Sequence, residues 1–135
     1  MTGLDTNILV RYFAQDDPVQ SAAAVRFMQR ELSNQQPGFV SLVTLAELTW
    51  VLRSNFKASR DEVISVVESL LAAPSIRVQE QNAVWLALDY CESPGVGFHD
   101  ALIAAVGRQH GCHRTITFDE RATRIPGMEL LATSA

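Results

Sequence analysis

The sequence predicts an α/β fold in which a mostly parallel sheet is covered by helices on both faces. Short apolar segments of strand length alternate with longer segments whose apolar residues recur at helical spacing, and this order is typical of parallel sheets. The chain has 135 residues, 47% of them hydrophobic, which suits one domain with a sizeable buried core. No repeat, linker or low-complexity segment divides it, so we expect a single domain over residues 1–135.

Four to five strands are predicted, each from a short apolar run bounded by turn residues. They fall at 3–4, 39–41, 76–78 and 115–118, with a weaker fifth at 128–131. In folds of this class ligands gather beyond the carboxyl ends of the strands. Polar residues that directly follow strands are therefore the first candidates for a functional site.

Helices are predicted between these strands at 8–13, 18–33, 43–55, 59–73, 83–91 and 99–110. Two of them begin with specific start signals. Pro18 follows two aspartates, which places proline at the first helical position. Ser59 precedes Glu62 by three residues, the spacing of a capping box.

The charge balance does not favour nucleic acid through bulk electrostatics. Eleven basic and fifteen acidic residues give a net charge of −4, whereas a polyanion attracts a basic surface. Lys57 is the sole lysine, so the other ten cations are arginines. If RNA is the substrate, a few arginines must contact phosphates locally, and bound metal ions must offset the acids.

The sequence indicates a cytoplasmic protein without a membrane segment. No apolar run approaches the roughly 20 residues needed to span a bilayer, and the N-terminus lacks the basic and apolar stretches of a secretory signal. Cys91 and Cys112 are the two cysteines, and a domain of this size folds without a disulfide. A reducing compartment follows from that usage.

Four acidic residues stand where a site would be built. Asp5 and Asp119 follow the first and fourth predicted strands, while Glu47 and Asp100 lie in almost wholly apolar helices. A carboxylate among apolar side chains loses hydration, which is costly without a partner. Like charges that share a site need cations between them, and hard divalent ions prefer oxygen ligands. The four acids therefore predict a Mg²⁺ or Mn²⁺ site.

Helix capping offers an alternative explanation for each acid. Asp5 could cap the short helix that follows it, and Asp119 could cap the turn after the fourth strand. Asp100 near a helix start is favoured by the helix dipole. Glu47 lies three residues after Thr44, which is again the spacing of a capping box. Taken singly, Asp5, Asp100 and Asp119 fit capping as well as they fit a functional site.

Four segments that contain these acids resemble the successive motifs of PIN domains. They are LDTNIL at 4–9, LAEL at 45–48, HDALIAA at 99–105 and TITFD at 115–119. Their order and spacing are most similar to those of the VapC-type toxins of bacterial and archaeal toxin–antitoxin pairs. The resemblance covers essentially the whole chain, although residues 60–92 carry no diagnostic motif and leave substrate choice open.

The resemblance implies a three-layer α/β/α sandwich with a central parallel sheet and a metal-dependent endoribonuclease activity. It implies that Asp5, Glu47, Asp100 and Asp119 bind one or two Mg²⁺ or Mn²⁺ ions and carry catalysis. Hydrolysis of an RNA phosphodiester bond would then use a metal-activated water. Either Asp100 or Glu47 is suited to take the proton of that water, and the sequence leaves this choice open.

Six further residues are candidates for supporting roles in the site or for contacts with RNA. Three match family positions that orient the acids or the water: Thr6, Asn7 and Thr117. Three others follow the first and fourth motifs and are candidate RNA-phosphate contacts: Arg11, Arg121 and Arg124. A solvated surface arginine explains each of the latter equally well.

The resemblance also implies partners. VapC-like proteins are usually homodimers held by an antitoxin whose chain covers the active-site groove. Because that groove is acidic, an antitoxin that reaches into it with an arginine or lysine is electrostatically favoured. We therefore expect a cognate antitoxin that is at least locally basic.

Two rival functions come from other classes. A PIN fold kept as a binding module without catalysis is expected to have lost one of the acids, and all four are present. A receiver or phosphotransfer domain also places acids at strand ends, but such folds usually need a lysine near the phosphate. Lys57 lies away from all four motifs, so the nuclease is the better interpretation.

Other combinations of residues are weaker candidates for a site. A zinc site at His110, Cys112 and His113 lacks a second ligand pair at a suitable spacing. Trp50 and Trp85 are expected to pack in the core or an interface rather than to stack on bases.

Overall fold

Across residues 1–134, which the computed structural model describes, six α-helices and five short β-strands alternate along the chain. The chain divides into two compact units, Met1–Gln79 and a second that begins at Glu80. Each unit combines helices with a small sheet of strands that pair in parallel.

The first unit holds a three-stranded sheet in the order β1-β2-β3. The strands are β1 (Thr2–Gly3), β2 (Gly38–Val40) and β3 (Ile76–Val78). The helices are α1 (Thr6–Ala14), α2 (Pro18–Arg30), α3 (Leu42–Asn55) and α4 (Arg60–Ala72). Gly38 is buried in this sheet, and a Cβ at that position would lie 2.8 Å from Leu4 Cδ1. Glycine therefore allows the close packing of β2.

Helix α1 packs against α3, and this contact supports the start of α1 beside β1. Leu9 of α1 and Leu45 and Leu48 of α3 are fully buried. Burial of such leucines contributes about 2 kcal/mol each. The packing thus positions Asp5, which precedes α1.

Both helix-start signals predicted from the sequence are confirmed. The Asp17 carboxylate accepts hydrogen bonds from the backbone N–H groups of Val19 and Gln20, and Pro18 is the first residue of α2. Ser59 and Glu62 form a reciprocal capping box, with bonds of 3.1 Å to the Ser59 hydroxyl and 3.0 Å to the Glu62 carboxylate. These bonds satisfy N–H groups that a helix start leaves without partners.

The second unit contains a helix pair and a two-stranded sheet. Its helices are α5 (Gln81–Tyr90) and α6 (Phe98–Gln109), and its strands are β4 (Thr115–Thr117) and β5 (Met128–Leu130), joined through a 3₁₀ helix (Glu120–Arg124). Helices α5 and α6 pack together, and the small residues Ala87, Ala101 and Ala105 are fully buried. Thr115 of β4 pairs with Met128 of β5 in parallel register.

The predicted α/β class and the parallel strands are confirmed. All five predicted strands occur, each within about one residue of its predicted position, and the five are divided between a three-stranded and a two-stranded sheet. Helix α1 begins two residues earlier than predicted, and α2 ends at Arg30 rather than near residue 33. None of the helices in the described residues is long and apolar enough to cross a membrane.

Two serine substitutions should change stability in opposite directions. Ser21 of α2 is 4% exposed and its hydroxyl lacks a hydrogen-bond partner among the described residues. We expect Ser21→Ala to raise the free energy of unfolding by up to about 1 kcal/mol, since it removes a buried unsatisfied group and adds a better helix former. Ser59→Ala should lower it by about 1 kcal/mol because the cap is lost. Urea denaturation measures both, and an equal loss in both variants would contradict the assignment for Ser21.

Candidate active site

Asp5 lies at the first helix start of the chain without acting as a side-chain cap. It is the N-cap residue of α1 by backbone conformation, but its carboxylate accepts no capping hydrogen bond. The side chain is exposed, as is Asn7, whereas Thr6 is buried. The capping explanation for Asp5 is therefore wrong, and its carboxylate is available to a ligand.

Glu47 lies in the middle of α3, on a face that is open to solvent. Ser41 caps this helix and accepts a 3.1 Å hydrogen bond from the N–H of Thr44, so a capping box between Thr44 and Glu47 is wrong. The neighbouring Val43 and Trp50 are 79% and 62% exposed, and Glu47 is exposed as well. The expected loss of hydration at Glu47 is therefore wrong, because the apolar residues around it are not buried.

The two tryptophans are likewise exposed rather than in the core. Trp50 and Trp85 are both accessible to solvent in the described chain. A core position for either is thus wrong, and a place in an interface stays a prediction.

Asp100 is half-buried in the first turn of α6 and is electrostatically coupled to Asp119. Burial raises the pKa of the Asp100 carboxyl, the negative charge of Asp119 raises it further, and His99 lowers it. The second unit therefore brings two of the predicted acids into one electrostatic neighbourhood. The ionised form of Asp100 is destabilised there, as expected for carboxylates that share a site.

Asp119 follows β4 and caps the 3₁₀ helix. One of its carboxylate oxygens, Oδ1, accepts a 2.9 Å hydrogen bond from the N–H of Arg121, and its own N–H donates a 2.9 Å bond to Thr117 Oγ1. The capping explanation is thus correct for this acid. It does not exclude a functional role, because the cap engages a single carboxylate oxygen and the side chain is exposed.

Two of the three candidate phosphate-binding arginines are already engaged. Arg11 donates from Nη1 to the Asp16 carboxylate at 3.1 Å and from Nε to Gln20 at 2.8 Å. Arg124 Nη1 donates to the carbonyl of Pro94 at 3.0 Å. It also lies over Gly95, where a Cβ would approach it to 2.6 Å.

Arg121 is the third candidate and is exposed to solvent. Within the described residues its side chain makes no hydrogen bond or ion pair. It is therefore the most accessible of the three for a phosphate.

One of the two histidines in the weak zinc candidate has another partner. His110 Nε2 lies 2.7 Å from Glu80 Oε1, which links the end of α6 to the start of α5. This contact gives His110 a structural role within the second unit.

The four acids are divided equally between the two units: Asp5 and Glu47 precede residue 80, and Asp100 and Asp119 follow it. Inside each unit the described residues contain no group of three or more metal-binding side chains placed to hold an ion. Oxygen donors of this kind suit a hard divalent cation, which would also relieve the unfavourable charge on Asp100. Their assembly into one site stays a prediction from the sequence.

A groove that sequence analysis missed lies between α1 and α2 in the first unit. Its volume is about 860 Å³, and its lining includes Arg26 and Arg30 as well as the predicted Arg11. The available signal was the four-residue spacing of Arg26 and Arg30, which places both on one face of a helix. Only the packing of the two helices shows that this face borders a groove.

Comparison with known proteins agrees with the motifs. The family model of the PIN domain matches residues 4–128, a range that includes all four acids. No curated protein matches the chain. The family match indicates a nuclease-type fold, as PIN domains are generally nucleases. The chain therefore belongs to the PIN-domain family.

Proposed function

We propose that this protein is a Mg²⁺- or Mn²⁺-dependent endoribonuclease that hydrolyses phosphodiester bonds of RNA. Its metal-binding and catalytic residues are Asp5, Glu47, Asp100 and Asp119. The observation that carries the proposal is the PIN-domain match over residues 4–128, which includes all four acids. The raised pKa of Asp100, caused by burial and by the charge of Asp119, is consistent with it. The choice of RNA rests on the resemblance to VapC-type toxins.

The chain prepares at least one of these carboxylates before any ligand binds. Thr117 Oγ1 accepts from the Asp119 N–H, and the Arg121 N–H holds one oxygen of the Asp119 carboxylate. An acid held this way loses little conformational freedom when it binds a cation. Arg121 is exposed next to it and is suited to contact a substrate phosphate.

The remaining chemistry follows from the donor set. Asp5, Glu47, Asp100 and Asp119 would hold a divalent ion, which would lower the pKa of a bound water and stabilise negative charge on the phosphate. Asp100 or Glu47 would then accept the proton of the attacking water. The exposure of Glu47 and Asp119 leaves room for a polymeric substrate to reach the carboxylates.

We further propose that the protein is a cytoplasmic toxin that forms a homodimer and is inhibited by a cognate antitoxin. The resemblance to VapC-type toxins motivates this role. The exposed side chains of Val43 and Trp50 support it, because they are seven residues apart on one face of α3 and contiguous exposed apolar surface often marks a protein interface.

Replacement of the acids by amides tests catalysis. We expect Asp5→Asn and Asp100→Asn each to reduce metal-dependent RNA cleavage by about 100-fold or more, because the amide preserves shape but removes the charge. Asp89→Asn is the matched control, since Asp89 is exposed on α5 and lies outside the motifs. Circular dichroism verifies the fold of each variant. Near wild-type cleavage by both site variants would contradict the assignment of these acids to the catalytic site.

Metal binding should stabilise the folded protein. At 100 times its dissociation constant, Mg²⁺ or Mn²⁺ should add about 2.7 kcal/mol, a rise in Tm on the order of 10 °C. Asp100→Asn should blunt this rise, whereas Asp89→Asn should keep it. The comparison requires matched ionic strength, so that screening is not mistaken for binding.

The raised pKa of Asp100 determines whether its ionisation raises or lowers the stability of the metal-free protein. A carboxyl whose pKa is raised on folding binds more protons in the folded state, so its ionisation lowers stability as the pH rises through that pKa. Metal-free Asp100→Asn should therefore be at least as stable as wild type at neutral pH. Equal metal stabilisation of wild type and variant would mean that Asp100 does not bind the ion.

The toxin role has its own test, which is independent of the cleavage chemistry. Expression together with the neighbouring open reading frame should yield a complex in which RNA cleavage is inhibited. A basic residue of the antitoxin is expected to approach the acids, because opposite charges complement each other there. An active nuclease that purifies alone and uninhibited from its native operon would contradict the toxin role and leave the nuclease.

A further inference from the structure

The groove between α1 and α2 combines an apolar floor with a cationic rim. Ile8, Ala23 and the half-buried Phe27 supply apolar lining, while Arg26 and Arg30 are exposed along the side formed by α2. We refer to this feature as the α1–α2 groove. Such a combination suits a ligand that carries regularly spaced negative charges together with flat apolar groups.

Two of the arginines that line the groove are free to bind a negatively charged ligand. Arg11 is neutralised by its ion pair with Asp16. Arg26 and Arg30 make no hydrogen bond or ion pair with any other described residue. The carboxylate in the lining is Glu31, so the two free guanidinium groups outnumber it.

The spacing of the arginines matches a nucleic-acid backbone. Residues four apart on a helix are separated by about 6 Å, which is comparable to the separation of successive phosphates along a strand. Both residues are arginines, whose guanidinium groups bind phosphate oxygens in pairs.

The groove also begins beside a residue of the proposed site. Asn7 forms part of its lining and is two residues from Asp5, whose carboxylate is exposed and uncapped. A strand that lies in the groove would thus pass close to one of the acids within the same unit.

We propose that the α1–α2 groove binds single-stranded RNA, with phosphates on Arg26 and Arg30 and bases against Ile8 and Phe27. This inference rests on the proposed ribonuclease function and assigns a path for its substrate. Single-strand binding commonly pairs a positively charged groove with aromatic and apolar surfaces for the bases. A protein with net charge −4 requires such a local cationic surface to hold a polyanion. An acidic protein segment has similar charge, but the adjacency of Asp5 favours RNA.

Salt dependence of RNA binding provides the test. The probe is a fluorescein-labelled single-stranded RNA of about ten nucleotides, bound in EDTA so that cleavage does not interfere. Each of Arg26→Gln and Arg30→Gln should weaken binding and reduce the slope of log Kd against log salt by about 0.7, and the double variant by about 1.4. Arg53→Gln is the control of equal charge change, since Arg53 is exposed on α3 outside the groove. It should leave the slope unchanged, and Arg26→Lys with Arg30→Lys should retain it.

The outcomes separate this inference from the nuclease proposal. If wild type cleaves RNA and the double glutamine variant keeps the wild-type KM and salt slope, the groove is not the RNA path, although the nuclease stands. If RNA binds with the predicted arginine dependence but is not cleaved with metal, the inference holds and the catalytic proposal fails. Absence of RNA binding by wild type overturns the inference. So does an unchanged slope accompanied by loss of a protein partner, which would assign the groove to that partner.

Discussion

Very short parallel strands are the constraint on which the positions of the acids depend. β1 has two residues and each of the other strands has three, so the hydrogen bonds of the sheets alone cannot fix the strand ends. The neighbouring helices must supply that stability through burial. In the first unit this role falls to α1 and α3, whose buried leucines secure the start of α1 directly after Asp5.

At the other end of the chain, side-chain hydrogen bonds reinforce the strand end. Thr117 belongs to β4 and also accepts from the N–H of Asp119, so the strand and the turn that follows it are connected directly. Asp119 then starts the 3₁₀ helix that leads to β5. Capping and a functional role are therefore not alternatives for this acid: the cap fixes the side chain that a cation would use.

The repulsion between Asp100 and Asp119 works against stability. Half-burial of Asp100 strengthens it, because fewer water molecules screen the two charges. The dipole of α6 favours a carboxylate in its first turn, but an amide side chain at that position would avoid the repulsion from Asp119. Unfavourable charge of this kind is common at functional sites, and it is informative here because the two acids also fall in separate motifs of a nuclease family.

Local features of the fold could be predicted from the sequence, while the exposure of side chains could not. The helix starts at Asp17 and Ser59 depend on neighbouring residues alone, and both are confirmed. The five strand positions were also predictable, but their division into two sheets depends on long-range pairing. Glu47 shows the limit most clearly. An apolar run around it suggested burial, yet Val43 and Trp50 beside it are exposed, because helix α3 buries a different face.

The hydrogen bonds and ion pairs of the arginines could likewise not be predicted from the sequence. These contacts also bear on how an acidic chain could hold RNA. Proximity to a motif in the sequence pointed to Arg11 and Arg124, but an ion pair and a backbone carbonyl already engage their guanidinium groups. Arg26 and Arg30 have no motif, and what distinguishes them is the groove that they border and the lack of a carboxylate partner among the described residues. The net charge counts every ionised group, including cations that a neighbouring carboxylate already neutralises. A polyanion instead interacts with the unpaired cations that lie within about a Debye length of its path. The value of −4 therefore does not exclude RNA binding. What matters is a local excess of free cations, and the α1–α2 groove holds such an excess in the first unit.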